Sequence, residues 1–252
     1  MKTKILNLLM IISVVSLVIF TSCKKDDDDD NNSEETALET GTFTDSRDSK
    51  TYKWVKIGNQ VWMAENLAYT GDGIIHKSSV VDWTSNDLNR YKGWCYPEND
   101  NSLGGKYGVL YQWEAAEIAC PSGWHLPTHA ELVELVTYLT DNGYSYDGYE
   151  GVADIAKSLA SDEDWVVSDE EGAVGNSDYP EVRNKSGFTA LPAGIREMGG
   201  DFNMLYYGAY WWTATEYSST TVYGHDIHAG LPYSDFSNYS KMSGFSVRCV
   251  KD

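Results

Sequence analysis

Positive charge is scarce in this chain: 19 Lys and Arg stand against 38 Asp and Glu, for a formal net charge of −19. A surface of that sign repels nucleic acid phosphates and anionic lipid headgroups, so neither is an expected partner, while neutral polymers and cations fit better. Long apolar runs are missing too. The longest, Ile5 to Phe20, is broken by Asn7, Ser13 and Ser16, and at about 16 residues it is short for a ~30 Å hydrocarbon core. That argues against a retained transmembrane helix. Motifs of catalysis are absent as well. There is no Gly-x-Ser-x-Gly elbow, and Cys95 lacks a motif that would assign it a histidine partner. His125 and His129 are four apart, but Pro127 lies between them and the helix pattern starts only at Thr128, so they cannot share a helical face as zinc ligands. His225 and His228, at i, i+3 in a strand pattern, point to opposite faces. Glu114 and Glu117 read as the solvated face of an amphipathic helix. No metal site, cofactor or catalytic residue is therefore expected. Calcium is left open by the acidic stretches Asp141–Asp147 and Asp162–Glu171, although no Asp-x-Asp-x-Asp-Gly loop is present.

What the N-terminus does contain is a secretory signal. Lys2 and Lys4 precede the apolar run, and the small residues Thr21 and Ser22 precede Cys23. Phe20-Thr21-Ser22-Cys23 resembles a lipoprotein signal, with Phe20 standing where Leu is usual. The resemblance implies that residues 1–22 are removed and that Cys23 is lipidated, anchoring the chain to a membrane. Residues 23–40 follow as an acidic tether with an aspartate run at Asp26–Asp30 and little to bury, so an extended, disordered spacer is expected. Cys-Lys followed by aspartates also resembles the export signal that places lipoproteins of Bacteroidota-like bacteria on the outer face of the outer membrane. The periplasmic face is the alternative.

Residues 41–252 suffice for one sizeable core. Thr51–Ile57 and Gln60–Met63 read as a hairpin across Gly58-Asn59, with Gly first as a type II′ turn prefers. A helix is expected over Leu110–Cys120, ended by Pro121. A second is expected from Thr128, which forms a capping box with Glu131 and carries the stripe Leu132, Leu135, Val136, Leu139 to Asn142-Gly143. A shorter stripe follows at Val152, Ile155, Ala156 and Leu159. Strands are expected at Gly187–Ile195, Ala209–Thr215, Val222–His228 and Phe245–Val250. Helices early and strands late give an α+β domain. Nine Trp and eighteen Tyr are mostly accounted for by core packing. In Ala209–Thr215 the two tryptophans should alternate, Trp211 and Trp212 facing one inward and one outward. Leu231–Tyr239 reads instead as an exposed loop. Its Tyr233, Asp235, Phe236, Asn238 and Tyr239 offer flat rings for stacking on sugars and polar groups for their hydroxyls, which makes them the candidate ligand site.

Five blocks, in order, carry a family resemblance: Val55–Leu67 (VKIGNQVWMAENL), Tyr107–Ala116 (YGVLYQWEAA), Cys120–Thr128 (CPSGWHLPT), Gly187–Gly194 (GFTALPAG) and Gly244–Val250 (GFSVRCV). Together they closely resemble the Fibrobacter succinogenes major paralogous domain, found on secreted and lipid-anchored proteins and without an established activity. A looser similarity, in Trp113–Cys120, Leu126–Glu131 and the terminal Arg248-Cys249, is to C-type-lectin-like domains and the formylglycine-generating enzymes. It implies two main helices packed on a twisted, loop-rich antiparallel sheet, and a disulfide between Cys120 and Cys249. Three domain cysteines allow one bridge with one left over, and Cys95–Cys120 stays open as the rival pairing. The chain departs from both analogues. It lacks the sugar-calcium motif of true C-type lectins and the late cysteine pair of the enzymes. The expected function is a lipid-anchored, non-enzymatic surface module for binding or adhesion, with extracellular polysaccharide as ligand. A structural or scaffold role is the alternative, and an enzyme a distant third.

Overall fold

A computed structural model describes residues 37–148 and 153–252. The signal segment, Cys23, most of the tether and Val152 lie outside the described residues. The domain is α+β as expected, with several small, mainly antiparallel sheets and few helices. Five antiparallel strands make the largest sheet, in the order Thr40–Thr44, Thr51–Ile57, Gln60–Met63, Val250–Lys251, Trp124–His125. The expected hairpin is there. Gly58 has φ +59° while Asn59 is not in the left-handed region, the combination a type II′ turn requires.

The three-stranded sheet Gly208–Glu216, Thr221–His228, Ser234–Ser240 runs through the middle of the molecule. One face packs Tyr210, Trp212 and Val222 with Phe245, Trp113 and Met63. The other packs Ala209, Trp211 and Ile227 with Leu132, Leu135, Leu139 and Phe188. Trp211 and Trp212 do alternate, but both are buried, which corrects the expectation of one ring outward. Trp212 stacks on Phe245 at 4.3 Å, and Trp211 meets Phe188 edge-on at 5.4 Å. Each such ring removes roughly 150–250 Å² from water, about 4–6 kcal/mol of gross transfer before entropy is counted. A sheet with core on both faces is stabilised twice over.

The long helix His129–Asp141 forms as its pattern dictates. Thr128 Oγ1 accepts from the Glu131 amide at 3.2 Å and Glu131 Oε2 accepts from the Thr128 amide at 2.7 Å, completing the capping box. Leu132, Leu135, Val136 and Leu139 are all buried, and Gly143 at φ +72° follows the helix end. The earlier helix is shorter than expected, Trp113–Ala119, because Leu110–Tyr111 pairs as a strand with Trp94 and Cys95. The third helix is a single turn, Ala156–Leu159. Of the expected late strands, Gly187–Ile195 condenses to Ala193–Arg196 and Phe245–Val250 to Val250–Lys251, with single bridges at Phe245 and Ser246. Cys120 and Cys249 are disulfide-bonded, and Cys95 is free and buried. No helix among the described residues is long and apolar enough to cross a membrane.

Candidate functional site

The segment expected as an exposed loop is a strand. Ser234–Ser240 pairs with Thr221–His228 over seven residues, from Ser234↔Ile227 to Ser240↔Thr221. Small polar side chains gave it the composition of a loop, but the backbone hydrogen bonds of the neighbouring strand decide its conformation. Tyr233 precedes the strand, and alternation splits the other four candidates. Asp235 and Tyr239 lie on one face, Phe236 and Asn238 on the other. Tyr239 donates to Asp226 Oδ1 at 2.5 Å and packs edge-on against Phe245 at 4.7 Å. Phe236 stacks on His225 at 4.7 Å. Tyr233, Asp235 and Asn238 are exposed. The five do not share one face of the sheet.

The histidines separate as their spacing dictates. His228 faces Tyr210, whose hydroxyl lies 2.9 Å from Nε2, and His225 faces Phe236 and Trp211. His125 bridges Asp252 (2.7 Å) and Glu131 (2.8 Å), while His129 stacks on Tyr223 at 4.3 Å. Among the described residues no three His, Cys, Asp or Glu side chains gather as a metal-binding group.

His225 is fully buried, and neither ring nitrogen has a hydrogen-bond partner. Burial, reinforced by nearby His129 and opposed by Asp226, pushes its pKa from 6.5 down to about 4. The unfolded chain therefore takes up a proton near pH 6.5 that the folded domain refuses until about pH 4. Its stability contribution is complete above pH 6.5 and is lost as pH falls towards 4, by up to about 3 kcal/mol. Urea midpoints measured between pH 7 and pH 4.5 should fall steeply in the native chain and less steeply in His225→Phe. Equal slopes would show that His225 does not carry the effect.

A concave, polar site lies elsewhere, in the long irregular stretch after the one-turn helix. Lys157 on that helix is completely buried. Its ammonium donates to the carbonyls of Asn176 (3.1 Å) and Asp178 (2.6 Å) and to the Asp178 carboxylate. Asp178 in turn accepts from the Gly172 amide at 2.8 Å. Burial alone would raise the Asp178 pKa, but the Lys157 and Gly172 donors outweigh it and lower it. Gly175 closes the loop from the other side, its amide 2.6 Å from the Ala229 carbonyl. A Cβ there would come within 2.2 Å of the Val166 carbonyl, so only glycine fits.

This loop walls a cavity of about 650 Å³ whose lining includes Asp162, Trp165, Asn176, Asp178, Arg183 and Asn184. Arg183 donates to the Asn176 carbonyl at 2.9 Å, which holds its guanidinium in the lining. Trp165 is half-buried, and its indole N–H, shielded from solvent, has no hydrogen-bond partner in the protein. One flat indole beside carboxylate, amide and guanidinium groups can stack on a sugar ring and hydrogen-bond its hydroxyls. Sequence reading missed this site. Trp165 sat inside Asp162–Glu171, a stretch weighed only for its oxygens.

The Fibrobacter succinogenes major domain family model matches residues 55–251. No curated protein and no solved structure matches the chain.

Proposed function

The chain belongs to the Fibrobacter succinogenes major domain family, and from that premise we propose that it is a non-enzymatic binding module for neutral polysaccharide. It is held at the outer surface of the outer membrane by a lipid on Cys23. The observation that carries the binding reading is the Trp165 cleft. It has a size that suits a sugar ligand and polar groups already fixed in place by Lys157 and Gly175. Net negative charge, −19 over the chain, favours uncharged polymers over acidic ones. A C-type-lectin-like architecture is supported by the helix that ends at Cys120, its bridge to Cys249 in the last segment, and the loop-rich region between.

Electrophoresis of the detergent-solubilised chain through gels containing mixed-linkage β-glucan, xylan, α-mannan or starch tests this directly. At least one polymer should retard the chain, and Trp165→Ala should cut the affinity about tenfold, in line with about 1.4 kcal/mol for one lost aromatic contact. No retardation by any polymer would favour the scaffold role. Retention unaffected by Trp165→Ala would move the site elsewhere, and Tyr233→Ala would then be the next variant. For the anchor, Cys23→Ser should abolish palmitate labelling, and protease added to intact cells should remove the native domain. Protection from the protease would place it on the periplasmic face.

A further inference from the structure

We infer that the Trp165 cleft is one end of a continuous groove that binds an extended run of sugar units, a reading that rests on the polysaccharide proposal above. A second cavity, about 460 Å³, shares Asp162 with the first and is also lined by Glu65, Gly105, Lys106 and Glu163. A third, about 370 Å³, shares Glu65, Gly105 and Lys106 with the second and is also lined by Tyr96. Each has the volume of a small-ligand site by itself, so three in series exceed what one sugar unit fills. Aromatic rings line the first and third cavities, Trp165 in one and Tyr96 in the other, and polar groups line all three. That is the layout a sugar chain requires, with stacking at intervals and hydroxyls met along the way.

The middle of the groove is braced without a ligand. Lys106 reaches Glu163 Oε2 at 2.5 Å and Asp164 Oδ2 at 2.6 Å, tying the turn Gly104–Tyr107 to the segment that carries Trp165. Tyr107 adds a hydrogen bond from its hydroxyl to Asp164. Two glycines shape the third cavity differently. A Cβ on Gly104 would come within 2.5 Å of the Tyr96 ring, so the glycine lets the ring lie against the backbone. A Cβ on Gly105 would meet nothing within 4 Å. Gly105 borders both the second and third cavities, so a side chain there fills the groove and not the core. Across the three linings the carboxylates of Glu65, Asp162, Glu163 and Asp178 are matched by Lys50, Lys53, Lys106 and Arg183, so the groove has no formal net charge and suits a neutral chain.

Gly105→Phe is thus a plug that leaves the fold intact. Calorimetry on the full-length chain would use di- to octasaccharides cut from whichever polymer retards it in gels. Affinity should rise at least about tenfold from disaccharide to hexasaccharide. Gly105→Phe should erase that rise, with disaccharide affinity at the Trp165 cleft and thermal midpoint unchanged. A disaccharide that binds as tightly as a hexasaccharide, or a rise that survives Gly105→Phe, overturns the groove while leaving the Trp165 cleft standing. A native chain that no polymer retards removes the polysaccharide reading and the groove with it.

Discussion

Arg248→Leu is expected to destabilise the domain by about 4 kcal/mol, more than any other single side-chain change proposed for it. Arg248 is fully buried, and among the described residues no carboxylate pairs with it. Its guanidinium serves two backbone carbonyls and one side-chain amide. Nε donates to Asn66 Oδ1 at 3.0 Å, NH2 to the Thr189 carbonyl at 2.7 Å, and NH1 to the Phe188 carbonyl. The plane also lies over the Phe188 ring, 4.2 Å from its centroid. Burial pushes its pKa down from 12.5 to about 9, with Glu65 opposing, so it still carries its charge at neutral pH. Leucine would fill part of the space but could donate to neither carbonyl. Each buried acceptor left without a donor costs about 1–3 kcal/mol, and the loss of packing against Phe188 adds to that. Swapping a buried ion pair for apolar residues can be neutral, but only when both partners go, and backbone carbonyls cannot be removed. Arg248→Lys should recover only part of the loss, because one ammonium cannot span the carbonyls that the planar fork reaches. Guanidinium denaturation with an unchanged m-value is the measurement. A loss below about 1 kcal/mol for Arg248→Leu would mean that water replaces the missing donors.

Arg248 also shows where legibility in the sequence stops. It lies in a block that marks the family, as does Asn66, yet nothing in either block says that the two meet. They are 182 positions apart, and Asn66 additionally accepts from Trp211 Nε1 at 3.2 Å. Features with a local cause were readable. The capping box needs residues three apart, the long helix a stripe within four turns, and the first hairpin a two-residue turn; all three are present. Features with a distant cause were not. Ser234–Ser240 became a strand because Thr221–His228 offers a full ladder, against its own composition. Trp211 and Trp212 could be seen to alternate, but only the packed molecule shows that both faces of their sheet are covered.

The candidate site was the least legible part. Its cleft lies in a stretch with little periodicity to read, and Asp164, Tyr179 and Asn184 there have left-handed φ values of 67°, 46° and 52°. The residue that organises it, Lys157, sits in a short apolar stripe where a lysine would be assigned to the solvent face. It is buried because three oxygen acceptors of the 176–178 loop close over its ammonium. A buried cation with its acceptors on a loop far along the chain leaves no signature of spacing. Only the aromatic excess hinted at a binding surface, and it pointed to Leu231–Tyr239, not to the cleft.

Reducing the Cys120–Cys249 bridge should cost about 4 kcal/mol, the second large effect expected. The two cysteines are 129 positions apart. Closing a loop of that length restricts the unfolded chain by an entropic maximum of about 5 kcal/mol, and measured bridges usually deliver 2–4. The bond also ties the middle of the chain to its last segment. It fixes the helix Trp113–Ala119 at its C-terminal cap to the segment entering Val250–Lys251, which pairs with both Gln60–Met63 and Trp124–His125. Without it the last segment keeps its buried contacts, so Cys120→Ser/Cys249→Ser should still fold, with a lower urea midpoint. Cys95 supplies the internal control. It is free, buried and pushed up to about 12 by desolvation, with Arg196 opposing, so it should resist alkylation until the domain unfolds. Peptide mass spectrometry after unfolding without reductant should find Cys95 alkylated and Cys120 joined to Cys249. Alkylated Cys249 with Cys95 joined to Cys120 would establish the rival pairing. A double mutant as stable as the native chain would show that packing alone holds the last segment in place.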